Sequence, residues 1–236
     1  MKIQEKFWKT ILGIFTAILF LIATPTSGSA SSSSFTIIQP GDAQVQTGKT
    51  YGEWSAKWWQ YALETPLENS PFFDSTGANC NFGQAGSVFF LVSTNGGTET
   101  RNECRVPAGK VLFFPLLGIV TLALTPQQPE LAYRATIQGF VKSTKVLRAN
   151  IDGEDVSISL DPDATPLRTL SPAGFFTITA PENNVFGGIP GQPYNTVSDG
   201  FYLMVAPLPP GNHTLTFGGT SRNFAAYMTY NLYVEP

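Results

Sequence analysis

The stretch that most constrains this chain is Thr50 to Pro66, T-Y-G-E-W-S-A-K-W-W-Q-Y-A-L-E-T-P, which gathers three of the four tryptophans into seventeen residues. Thr50 and Glu53 have the spacing of a capping box, in which hydroxyl and carboxylate each satisfy the other residue's backbone N–H. Pro66 ends the run at about Thr65, because the residue before a proline is pushed out of the α region. At 100° per residue Tyr51, Trp54, Trp58, Tyr61 and Ala62 share one face, which Trp59 and Leu63 widen. Glu53, Lys57, Gln60 and Glu64 take the other face, and Glu53 and Lys57 stand in the favourable i,i+4 order. A helix of this kind either covers a sheet or offers its indoles to a ligand. The broad apolar arc favours the cover, since an interfacial membrane helix carries more Lys and Arg. Trp59, off the centre of the face, is then the tryptophan expected to be most exposed. With the nearby Phe72 and Phe73 it forms the candidate ligand-binding set.

The chain opens with Lys2, Lys6 and Lys9, an apolar run over Ile11 to Thr24, and the small residues Gly28-Ser29-Ala30. This is the pattern of a secretory signal peptide over residues 1–30, cleaved after Ala30. The apolar run is shorter than a membrane-spanning helix needs, so no stable span is expected once the leader is removed. Residues 31–236 then form a single secreted or periplasmic domain. The formal net charge of −3 and the absence of clustered Lys and Arg argue against a nucleic-acid partner.

Cys80 and Cys104 are the two cysteines, and both lie beyond the leader. Export to an oxidising compartment predicts one disulfide between them. A metal pair is the rival reading, but two thiolates with no histidine nearby make a poor zinc site.

The remaining chain reads as short strands separated by turns. Strand signals cover Phe35–Gln39, Ser87–Ser93, Glu99–Val106, Val111–Val120, 147–151, 156–160, Gly174–Thr179, Phe201–Ala206, His213–Phe217 and Ala225–Val234. Pro40-Gly41-Asp42 reads as a turn. Asn95-Gly96-Gly97, Asp152-Gly153 and Pro209-Pro210-Gly211-Asn212 read as hairpin turns. Pro115 marks an edge or a bulge within its strand. Thr125-Pro126 opens a second helix, expected over 126–142. Residues 68–86 and 181–199 read as two long loops. The predicted architecture is mainly β: an immunoglobulin-like β-sandwich of about 8–9 strands, decorated by α-helices near 50–65 and 126–142.

Catalytic signatures are sparse. His213 is the single histidine and sits at a turn, where fixing the hairpin corner is a simpler role than acting as a base. There is no G-x-S-x-G elbow. Asp152, Glu154, Asp155, Asp161 and Asp163 cluster in a way that raises a structural calcium site, but their spacing does not match an EF-hand loop. The sequence therefore assigns no catalytic residue, no metal ligand and no cofactor.

Y-G-E-W-S-A-K-W-W-Q-Y at 51–61, T-G-A-N-C at 76–80, V-P-A-G-K-V-L-F-F-P at 106–115, I-D-G at 151–153, V-S-D-G-F-Y-L at 197–203 and P-G-N-H-T at 210–214 resemble an uncharacterised family of secreted bacterial proteins. The resemblance implies one exported domain and brings no catalytic residue with it. The expected function is an exported, non-enzymatic domain that binds carbohydrate or another envelope component. The alternatives are a secreted carboxylate-dependent hydrolase, its site between the two long loops, and a purely structural envelope protein. A hydrolase requires two or more acids converging in one pocket; a binding module requires accessible aromatics with few acids.

Overall fold

The computed structural model describes residues 34–161, 163 and 165–236, so the expected leader lies outside the described residues. At the centre stand two long antiparallel strands, β4 (Val111–Ala123) and β9 (Pro193–Val205). Their alternation explains the layering. Leu112, Phe114, Phe201, Leu203 and Val205 point to one side, and Phe113, Tyr202 and Met204 to the other. A sheet apolar on both faces must be covered on both, as the continuous run V-L-F-F at 111–114 predicts.

The first sheet has the order β1 (Val88–Phe90), β4, β9, β7 (Arg168–Leu170), with β8 (Phe176–Thr179) pairing farther along β9. The second has the order β2 (Gly97–Arg101), β11 (Phe224–Val234), β10 (Gly211–Ser221), β5 (Thr144–Ile151), β6 (Glu154–Asp155), and β3 (Arg105–Val106) also pairs with β11. Between the sheets lies the main core, to which the second contributes Leu147, Ala149, Ile151, Leu215, Phe217, Met228 and Tyr230. Its outer face carries Thr216 and Thr229, directly opposite each other with hydroxyls 3.2 Å apart. The predicted mainly β sandwich is thus the observed one, with eleven strands among the described residues rather than eight or nine.

Three α-helices occur among the described residues. The aromatic helix α2 (Tyr51–Glu64) has its capping box, with Thr50 N–H donating to Glu53 Oε2 at 2.8 Å and Glu53 N–H to Thr50 Oγ1 at 3.2 Å. It covers the outer face of the first sheet, where Trp58, Trp59, Ala62 and Leu63 join Phe113, Tyr202 and Met204 in a second core. The additional helix is α1 (Pro40–Thr47), at the residues expected to turn. A proline at the first helical position starts a helix as readily as a turn, and Gly48 closes it at φ 82°. The helix expected over 126–142 is α3 (Glu130–Val141). A second proline, Pro129, occupies its N-cap and delays the start.

Two expected hairpins are instead crossings between sheets. β1 pairs parallel with β4, Val88 opposite Val111, and β2 pairs parallel with β11, Thr98 opposite Tyr227. Residues 91–96 therefore carry the chain from one sheet to the other, and Gly96 and Gly97, at φ 112° and 82°, make the reversal. Pro209-Pro210-Gly211 likewise leads from β9 to β10 in the opposite sheet. The tight hairpin is β10–β11, turning at Arg222 with φ 53°, a position with no Asn-Gly signal. Asp152-Gly153 does turn a hairpin, but its second strand stops at Asp155. Phe35–Gln39 contributes one bridge, Ile37 to Val205.

A candidate binding cleft at the free edge of β4

Past Pro115 the strand β4 bulges, and the register shifts between Pro115 and Leu117. Two glycines then face each other, Gly118 on β4 and Gly200 on β9. A Cβ on Gly200 would lie 2.5 Å from Leu117 O, and one on Gly118 would lie 3.4 Å from Trp59 Cζ2. Glycine is required at 200, where the strand backbones approach too closely for a side chain, and the space at 118 is tight.

Beside this segment lies a cleft of about 380 Å³. One wall is α2, with Trp58, Trp59 and Leu63, extended by Phe72, Phe73, Val185 and Phe186 from the two long loops. The other wall is Phe140 of α3 with Phe224 and Ala226 of β11. The floor is β4 from Pro115 to Val120, and the crossing residues Ser93, Thr94 and Asn95 close one end.

The three residues singled out in the sequence, Trp59, Phe72 and Phe73, all line this cleft, but their exposure differs from expectation. Trp59 is 8 % exposed, because its indole N–H donates at 2.8 Å to the buried Tyr202 hydroxyl. Trp58 donates to Leu91 O at 3.0 Å and Trp54 to Thr47 Oγ1 at 2.7 Å, so every indole of the helix is held by a partner. Buried aromatic N–H groups need such partners, and periodicity alone does not reveal them. Trp54 is half-buried, whereas Phe73 stands 57 % exposed at the cleft mouth. Phe72 packs edge-on against Trp58 at 6.0 Å. Phe82, in the same loop, does not line the cleft.

The loop that delivers Phe72 and Phe73 is ordered by its own bonds. Cys80 and Cys104 form the expected disulfide, with Cα atoms 5.5 Å apart. Asp74 accepts from the N–H groups of Thr76, Gly77 and Asn79 at 3.2, 2.9 and 2.8 Å. Gln84 donates to Cys80 O and Phe90 O, tying the loop back to β1.

Polar groups at the cleft are few, and no acid lines it. Thr94 Oγ1 is occupied by Gly96 O and Glu99 Oε1, while the buried Ser93 Oγ has no partner among the described residues. Behind the crossing segment Arg101, 1 % exposed, donates to Val92 O at 2.8 Å and to the Tyr230 hydroxyl at 2.6 Å. Burial pushes the Tyr230 hydroxyl above the ordinary tyrosine range, more than the neighbouring guanidinium pulls it down. This buried arginine fixes the path of residues 92–94, and its place on a short polar strand gave no sign of it.

The groups weighed for catalysis stand apart. His213 Nε2 lies 2.8 Å from Pro209 O, a pure acceptor, and Nδ1 lies 2.6 Å from Asp152 Oδ2. The ring thus fixes the corner between β5 and β10, as the turn position suggested. Asp199 is the one buried acid among the described residues, and Arg168 holds it with Nε at 3.2 Å and Nη2 at 2.9 Å. That hydrogen bond to Asp199 raises the Arg168 pKa further above its ordinary value. The acids of 152–163 disperse: Asp155 accepts from Asn150, and Asp163 from Arg168. Among the described residues no three His, Cys, Asp or Glu side chains gather as a metal site would require. No helix among them is long and apolar enough to cross a membrane.

No family model and no curated protein matches the chain. Among solved structures, PbICP-C in complex with falcipain-2 is similar at 12% identity, covering 64% of this chain and 100% of its own, with a TM-score of 0.25. The cysteine protease inhibitor EhICP2 from Entamoeba histolytica is similar at 13% identity over 65% of this chain and 100% of its own, with a TM-score of 0.23. Likenesses this slight define neither a family nor an activity for the chain.

Proposed function

We propose that the protein is an exported, non-enzymatic binding domain whose aromatic cleft receives an apolar, ring-sized group of an envelope or extracellular ligand. The observation that carries this reading is the lining of the cleft, aromatic and aliphatic on both walls with no carboxylate. Concave, mostly apolar sites with a few polar groups are the usual form of ligand pockets. A hydrolase needs two converging acids, and the buried acid Asp199 is already held by Arg168. Carbohydrate fits the cleft through the apolar face of a sugar ring, with the exposed Asn95 as a hydroxyl partner on the lining. Export is supported by the disulfide, which persists in oxidising compartments.

The test is a titration of the disulfide-intact protein with a naphthalene-based apolar probe and, in parallel, a glycan array, with tryptophan fluorescence as the readout. Trp58 and Trp59 line the cleft, so occupancy is expected to change their emission. Silence in both assays overturns the reading in favour of a structural envelope protein. Mass spectrometry of the protein from its host is expected to give an N-terminus at Ser31; an intact leader overturns the export part.

A further inference from the structure

We infer that the cleft is a strand-addition site, and that its ligand is an extended, apolar-alternating segment of a partner polypeptide that pairs with the free edge of β4. The inference rests on the cleft reading above and names the ligand class.

The backbone carries the argument. β4 runs from Val111 to Ala123 and pairs with β9 along nearly its whole length. On its other edge β1 pairs only with Val111–Phe113, and the last bond there is Leu91 N–H to Phe113 O. Past that point no strand among the described residues pairs with this edge, because the chain leaves through Ser93–Asn95 for the second sheet. Gly118–Ala123 are half-buried, so the edge is neither packed away nor fully open. A strand edge in this condition presents a row of unpaired N–H and C=O groups to any extended chain that reaches it.

Folded proteins ordinarily blunt such edges with charge, proline or a bulge. Here the nine residues 116–124, L-L-G-I-V-T-L-A-L, contain no charge, and the proline and bulge come before the exposed part.

The walls fit the same occupant. Side chains of an added strand alternate between the two faces of its sheet. On the outer face they would meet Trp59, Val185 and Phe186, beside Val120 and Leu122. On the inner face they would meet Phe140 and Phe224, beside Ile119. A slot with an apolar wall on each side of a strand edge matches one extended chain with alternating apolar side chains, the mode in which backbone bonds give affinity and pockets give specificity. Residues 118–122 offer about 17 Å of edge at ~3.3 Å per residue, enough for about five paired residues. A second copy is a poorer fit, because its own β4 edge lies between the same walls.

The experiment uses the disulfide-intact protein and a capped peptide of about seven residues alternating phenylalanine and threonine, with two analogues, each N-methylated on one set of alternate amides. The peptide is expected to bind, to slow amide exchange within residues 116–122, and to lose roughly tenfold or more in affinity in one analogue only, the one whose methyls face β4. Equal binding of all three with unchanged exchange overturns strand addition and leaves the apolar cleft standing. Binding of the naphthalene probe without the peptide does the same. Failure of both probes overturns the cleft reading itself. A dimer in sedimentation that protects residues 116–122 replaces the partner peptide with a second copy and overturns the inference.

Discussion

The indole N–H of Trp59 donates to the hydroxyl of Tyr202 at 2.8 Å, joining positions 143 residues apart. The bond fastens the covering helix to the central strand β9, and both partners are buried. Burial also pushes the Tyr202 hydroxyl far above the ordinary tyrosine range, so it stays protonated wherever the domain is folded. Tyr202→Phe leaves the Trp59 N–H buried without an acceptor, at a cost of about 1–3 kcal/mol. Urea unfolding followed by tryptophan fluorescence should show the lower midpoint; an unchanged midpoint would mean that water replaces the hydroxyl.

Trp59→Ala is a poor probe of binding, since removing a buried tryptophan costs about 3–5 kcal/mol. Phe73 is the better position. It lines the cleft mouth and is 57 % exposed. Phe73→Ala is expected to change stability by no more than about 0.5 kcal/mol while weakening probe binding several-fold. Unaltered binding in a fluorescence titration would place the ligand elsewhere.

The Arg168–Asp199 pair is bidentate and nearly closed to solvent, with side chains 9% and 2% exposed. Asp199→Asn is expected to cost about 1–3 kcal/mol, because it weakens a buried charge-assisted hydrogen bond while Asp163 still pairs with the guanidinium. Replacing both with apolar residues of similar volume, Arg168→Met and Asp199→Leu, should cost less than that single change. A double variant less stable than Asp199→Asn in the same denaturation assay would show that the pair contributes net stability.

The disulfide closes a loop between positions 24 apart and holds the segment that carries Phe72 and Phe73. Cys80→Ser with Cys104→Ser is expected to lower stability by about 3 kcal/mol on the chain-entropy account. The loss should be accompanied by a shift in tryptophan emission as Phe72 leaves Trp58. Calorimetry and emission spectra of the variant check both, and an unchanged spectrum would show that Asp74 and Gln84 order the loop without the crosslink.

Two carboxyls set an acid limb. The backbone N–H of Thr50, and then its hydroxyl, hold Glu53 below the ordinary value of 4.5. Arg134 does the same for Glu130. Both are preferred ionised by the folded state, so their contribution is complete above the unfolded value and is lost as pH falls through the lowered folded values. Thermal midpoints measured between about pH 7 and pH 3 should be flat and then decline at the acid end. Glu53→Gln should flatten that decline, and an identical acid slope would remove the cap from the account.

The aromatic helix was fully legible, because capping box, proline stop and apolar arc all act within seventeen residues. So were the disulfide, the Asp152-Gly153 turn, the role of His213 and the two-faced apolar character of β4. The pairing of β1 and β2 was not, because Asn95-Gly96-Gly97 has the composition of a tight turn whether or not the strands beside it share a sheet. Parallel partners of these strands lie elsewhere in the chain, and local composition carries no trace of them. Trp59, Phe72 and Phe73 could be named from the sequence as a set. Their opposite wall could not, since Phe140 and Phe224 come from α3 and β11, distant in the chain and brought near only by the fold.

The position of β11 makes the second sheet depend on pairings between distant parts of the chain. It is the last strand among the described residues, yet it pairs with β10 on one side and with both β2 and β3 on the other. Thr98 finds its partner Tyr227 only after all the residues between them have been supplied. Non-local pairings of this kind slow folding. A chain truncated before Phe224 lacks the strand that joins the two halves of that sheet, and β2 and β3 are left without the partner they share.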